Sequence, residues 1–187
     1  TLGGPILRDK LWFFASLEKV DTSRQNQDAQ FPREYDGINY IGKVTWQIAD
    51  SHRAVLKYTG APADIPGINS SQFVEESAKG LQYQGSDIWQ AELNSVLSES
   101  VLLNAAVGIF ANDIDVEAAT GNDVASGHRL EEDNVDTLDY NNFLYSSLNK
   151  RYRNELRLNT TIFVDRAAGS HEVKVGAEYS DMEFNYN

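Results

Sequence analysis

Long segments of this chain alternate apolar and polar residues, with full charges in the middle of the polar series. In segment 88–97, Trp89, Ala91, Leu93 and Leu97 oppose Gln90, Glu92 and Asn94. In segment 155–164, Leu156, Leu158, Ile162 and Val164 oppose Glu155, Arg157, Asn159 and Thr161. In segment 173–179, Val173, Val175, Ala177 and Tyr179 oppose Lys174, Gly176 and Glu178. A period of two is a strand with one apolar and one polar face. Unpaired mid-strand charges are too costly for a small dry core, so the polar face meets water.

Alternation alone also fits a soluble antiparallel sheet with one wet face. Length separates the two readings. Segments 40–48, 88–97, 101–111 and 155–164 reach the ~9–11 residues of a membrane-crossing strand, where globular strands are nearer ~5–6. The connections alternate as well. Arg8-Asp9-Lys10, Ala49-Asp50-Ser51, Ser98-Glu99-Ser100 and residues 165–170 are short; residues 25–36, 64–81 and 118–142 are long. Outer-membrane barrels have tight periplasmic turns and extended outer loops. The expected fold is all-β: an antiparallel up-and-down meander of about seven long strands after a short N-terminal one, forming part of a transmembrane barrel.

Composition closes off several chemistries. The 187 residues carry a net charge of −12 and no cysteine. Nucleic-acid binding needs clustered Lys and Arg, so no nucleic-acid partner is expected. Without cysteine there is no disulfide, zinc–thiolate site or cysteine nucleophile. A mean hydropathy of −0.45 suits a membrane barrel, which is apolar on one strand face only. No apolar run approaches the ~20 residues of a membrane helix.

Asp113-Ile114-Asp115-Val116-Glu117 begins like a calcium loop, but Ala118 and Val124 stand where that loop needs Gly and Glu. A looser calcium contact in an acidic outer loop stays open. His52, His128 and His171 fall in separate connections, so neither a metal triad nor a catalytic base is indicated. Glu131-Glu132-Asp133 lacks the rigid frame that paired-carboxylate chemistry requires. The reading is non-enzymatic, with no catalytic residue, metal or cofactor, and no residue identifiable as a ligand contact.

Leu2-Gly3-Gly4-Pro5-Ile6-Leu7, the Arg8-Asp9-Lys10 turn and Leu11-Trp12-Phe13-Phe14-Ala15-Ser16-Leu17-Glu18 resemble a segment of TonB-dependent outer-membrane receptors of the Oar-like group. Lys43-Val44-Thr45-Trp46-Gln47 with Ser51-His52-Arg53, and Gly169 through Tyr179, carry the same resemblance. The resemblance implies a bacterial outer-membrane location and one barrel segment over residues 1–187. A signal peptide, a plug domain, the TonB-contacting segment and further strands would lie outside it. Lipid, the plug and the TonB complex are the implied partners, with ligand uptake or export driven through them. Two alternatives stand beside it: a small complete porin- or adhesin-type barrel, and a soluble β-sandwich binding module.

The barrel reading sorts residues by side. Trp46, Tyr58, Trp89, Leu93, Leu103, Val107, Leu158, Ile162, Val175 and Tyr179 are expected to face lipid or form aromatic girdles. Ordinary sheet packing would also use those aromatics. Trp12, Phe14, Glu18, Gln47, Glu92, Asn94, Arg157, Lys174 and Glu178 are expected to face the lumen. There Trp12 and Phe14 either pack on the plug or serve as strand-end filler. A partial barrel of this kind is expected to be a curved, open sheet.

Overall fold

The computed structural model describes residues 1–121, 128–132, 135–166 and 169–187. Its architecture is an antiparallel meander of long strands. In chain order these are β1 (Leu2–Leu7), β2 (Leu11–Arg24), β3 (Arg33–Ala49), β4 (His52–Gly60), β5 (Ala63–Pro66), β6 (Gly80–Ser98), β7 (Val101–Ala118), β8 (His128–Glu132), β9 (Val135–Tyr140), β10 (Ser147–Arg166) and β11 (Gly169–Tyr186). The main sheet is nine-stranded and runs β1-β2-β3-β4-β6-β7-β10-β11, with β5 bridging β3 and β6 at one end. Strands β8 and β9 form a separate hairpin. Among the described residues no second sheet covers the main one, so the sandwich alternative lacks the facing sheet it requires. Among the described residues strand β1 pairs only with β2, and β11 only with β10. The sheet is therefore open, and the small closed barrel lacks its closing pair.

Three tight turns set the hairpins. In the first, Asp9 takes a positive φ of 60° and Lys10 N–H donates to the Leu7 carbonyl at 3.1 Å. Each of the three carries a register shift: between Pro5 and Leu7, Gln47 and Ala49, and Val96 and Ser98. Leu97 thus falls in an irregularity and leaves the strict alternation expected for segment 88–97. The middle of the fourth turn, expected over residues 165–170, lies outside the described residues, as do Val124 and Asp133.

The strands run further than the sequence period suggests. Strands β3, β6, β7, β10 and β11 have 17, 19, 18, 20 and 18 residues. The excess comes from the expected long loops. Their flanks stay paired as ladders, because an extended pair satisfies its backbone groups without needing an apolar pattern. Residues 64–81 contain all but the first residue of β5 and a 3-10 turn at Glu76–Ala78, and residues 118–142 contain the β8–β9 hairpin.

Candidate functional site

Directly opposed residues in a sheet point to the same side, so the pairing register sorts the side chains. One row reads Leu11, Trp46, Ala54, Leu93, Ala105, Leu158, Ala177. The next reads Phe13, Val44, Leu56, Ala91, Val107, Leu156, Tyr179, and above it stand Tyr58, Trp89 and Ile109. Leu103, Ile162 and Val175 share this side by the same alternation. All ten residues read from the sequence as outward are therefore brought onto one apolar side. Its side chains are open: Trp46 is 50% exposed, Leu158 46% and Val175 62%. A soluble monomer rarely leaves an apolar patch of that extent uncovered.

The opposite side is polar. One of its rows reads Trp12, Thr45, Val55, Glu92, Ala106, Arg157, Glu178, and another reads Gln47, Arg53, Asn94, Asn104, Asn159, Gly176. Phe14, Glu18 and Lys174 also lie there. All nine residues read as inward thus share this second side. Arg157 Nε lies 3.3 Å from Glu178 Oε2, and Arg153 pairs with Glu155. Asn104 Nδ2 donates to Asn94 Oδ1 at 2.8 Å and to Glu92 Oε1 at 2.9 Å. These are water-side networks, each exposed pair being worth little in stability.

The apolar band crosses the hydrogen-bonded rows at a slant. The row that starts at Leu17 and Tyr40 continues through Gly60 to Asp87, Ala111, Tyr152 and Glu183, so it leaves the band as it crosses the sheet. At the other end Val101, Ile162 and Val173 carry the band below the level of the β3–β4 turn, which is marked by the bond from Val96 N–H to the Ser51 carbonyl (2.8 Å). On β10 the band runs from Leu156 to Val164, about 9 residues or ~30 Å of strand. Tilted by about 40°, that length projects to ~23 Å, close to the ~25 Å apolar band of outer-membrane barrels.

Aromatics mark its upper margin. Tyr58 stacks on Trp89 at 4.3 Å between ring centroids, and Tyr40 lies 5.6 Å from Tyr58. Gly60 makes room for the Tyr40 ring, which a Cβ there would strike. The Tyr58 hydroxyl donates to the Asp87 carboxylate, on the side away from the band. Above these rings the same side turns acidic, with Tyr83 set between Asp64 and Asp115. Partial burial raises the Tyr83 phenol pKa above 10.0, and the Glu117 and Asp64 carboxylates add to the shift.

The described core lies at the long-loop end, over the polar side. Phe31, Val74 and Ala78 form one cluster; Val116, Ala118 and Phe143, with Ile68 and Ile114, form another. Asn142, 2% exposed, accepts a hydrogen bond from Thr120 Oγ1 at 2.8 Å. Asn69 ties the loop ends together, donating to the Ala78 carbonyl (2.8 Å) and accepting from the Gly80 amide (2.9 Å). Sequence reasoning treated these segments as loops and missed their packing. Phe31 and Phe143 were the available signal, since large aromatics in polar loops need cover.

Two solved structures share this fold. The outer membrane transporter YddB from Escherichia coli aligns with a TM-score of 0.74 at 14% identity, over 99% of this chain and 25% of that one. The siderophore receptor PiuA from Acinetobacter baumannii aligns at 0.63 and 16%, over 98% of this chain and 28% of that one. The chain therefore spans about a quarter of the length of these neighbours. No protein-family model and no curated protein sequence matches it.

Proposed function

We propose that this chain is a wall segment of a TonB-dependent outer-membrane receptor, of the Oar-like group that its hairpin motifs resemble. In this reading the apolar side meets lipid and the polar side lines an aqueous lumen. The segment is non-enzymatic. It spans lipid because every strand pairs its backbone with a neighbour, the missing neighbours of β1 and β11 being supplied by the rest of the barrel. The packed long-loop end is the outer mouth, where an extracellular solute first meets the protein. A plug and TonB coupling, by the same resemblance, lie outside the segment.

The slant of the apolar band carries this reading. A flat lipid slab meeting tilted strands must cross the hydrogen-bonded rows obliquely. A sheet that merely covers a soluble core is under no such requirement. The similarity to two outer-membrane barrels adds support at the level of fold.

Substitution on β10 tests it. Leu158→Arg places a cation on the apolar side near mid-band, at a cost of ~2–4 kcal/mol in lipid. Assembly of the full-length protein into the outer membrane should fall sharply. Arg157→Leu, the adjacent residue on the other side, should leave assembly nearly intact. The reading fails if the two variants assemble equally well, or if the order reverses.

A further inference from the structure

On the polar side, Lys43 and Lys57 stand directly opposite each other across β3 and β4. Like charges so placed destabilise a strand pair. Their neighbours along the row, Phe14 and Gln90, are uncharged, and Arg53 adds a cation two rows below. Three other cations of this side are matched, Arg157 with Glu178, Arg153 with Glu155, and Lys174 with Glu172 at 2.8 Å, whereas the opposed Arg24 and Arg33 stand at the long-loop end. Among the described residues, no carboxylate lies within ion-pair distance of Lys43 or Lys57. The carboxylate on the facing strand, Glu92, accepts from the Asn94 and Asn104 amides at 2.8 and 2.9 Å. An acidic chain, net charge −12, has thus left this mid-strand cation pair without an anion among the described residues.

The pair borders a recess of about 320 Å³ that is also lined by Ala106, Gly108 and Arg157 and by the carboxylates of Glu92, Glu155 and Glu178, of which Glu155 and Glu178 are already paired with Arg153 and Arg157. A concave, low-dielectric wall focuses the field of such charges and concentrates counter-ions. We propose that Lys43 and Lys57 form a binding site for one compact anionic group of carboxylate type. The group comes either from a solute in the lumen or from another part of the same protein. The site rests on the reading of this side as an aqueous lumen.

The chain has no cysteine, so Gln90→Cys puts a single reporter in the segment, in the same row as the two lysines. The full-length protein in lipid vesicles is reacted with an anionic (sulfonatoethyl) and a cationic (trimethylammonioethyl) methanethiosulfonate. A solute site predicts that the anionic reagent reacts faster by about tenfold. That preference should collapse in the Lys43→Gln/Lys57→Gln background, and citrate should slow the anionic reagent only when the lysines are present. A site filled by the protein's own carboxylate predicts no reagent preference, no citrate effect and a lower Tm for the double variant. The proposal is overturned by a preference that survives the double variant. It is equally overturned by no preference together with an unchanged or raised Tm. If Gln90→Cys resists both reagents while Ala91→Cys reacts readily, the assignment of sides is wrong, and the anion site goes with it.

Discussion

Two glycines show how a single Cβ is judged by what it would meet. Gly67 has a φ of +74°, and a Cβ there would strike the Pro32 backbone carbonyl. Neither the dihedral nor the backbone can give way cheaply. Gly67→Ala should therefore cost ~1–3 kcal/mol and loosen the packed long-loop end, seen as faster amide exchange over residues 67–79. At Gly60 the obstacle is the Tyr40 ring, the far end of a side chain that can rotate. Gly60→Ala should leave assembly intact and displace Tyr40 from Tyr58, read as a change in aromatic near-ultraviolet dichroism. Tyr83 supplies a pH prediction. Its raised phenol pKa means that the fold favours the neutral ring. That contribution is fully present below pH 10.0 and is lost as pH rises through the raised value. Tyr83→Phe should remove this alkaline step from the stability profile, and an unchanged step would assign it to another group.

At the scale of strands, the sides were legible because parity is a local property. Once Gln47 is placed on the polar side, Thr45 and Lys43 follow, and the ladder extends this sorting from strand to strand. Lys43 and Lys57 were within reach of that count but carry no motif, so their opposition appears only once β3 and β4 are in register. Strand ends were less legible. The flanks beyond the band, such as Tyr83 to Ser86 against Asn112 to Asp115, are polar on the side that is apolar within the band, and only cross-strand pairing reveals them as strand. The packing of the long-loop end was hidden for a related reason: Phe31, Val74 and Phe143 are far apart in sequence, and their burial depends on contacts between loops. Truncating the Phe143 ring tests how much that packing carries. The ring fills the space above Gly80, where a Cβ would lie 2.6 Å from it. Phe143→Ala should cost ~3–5 kcal/mol locally if the site cannot collapse. Exchange protection should fall at the long-loop ends of β6 and β7, while the ladder at the level of the apolar band keeps its protection.

For the molecule as a whole, the proposed membrane wall makes a side chain's depth in the bilayer and its side of the wall separate coordinates, and the three tryptophans sample both. Trp46 and Trp89 share the apolar side, near opposite margins of the band, whereas Trp12 is on the polar side. Aromatic residues concentrate at the two membrane–water interfaces, where an amphipathic ring meets lipid with one edge and water with the other. Single-tryptophan variants of the full-length protein, assembled in vesicles whose lipids carry a bromine quencher at a set depth, separate the coordinates. Trp46 and Trp89 should both be quenched most by shallow bromines, from opposite leaflets. A tryptophan placed at Val107, in the row between theirs, should respond most to deep bromines. Trp12 should be nearly insensitive to lipid bromines at any depth, since a strand wall separates it from the acyl chains. Water-soluble quenchers should rank Trp12 by the openness of the lumen and leave the Val107→Trp variant untouched. Strong quenching of Trp12 by deep bromines would reverse the two sides. A shared depth for Trp46 and Trp89 would remove the slanted band as evidence for tilted strands crossing a bilayer.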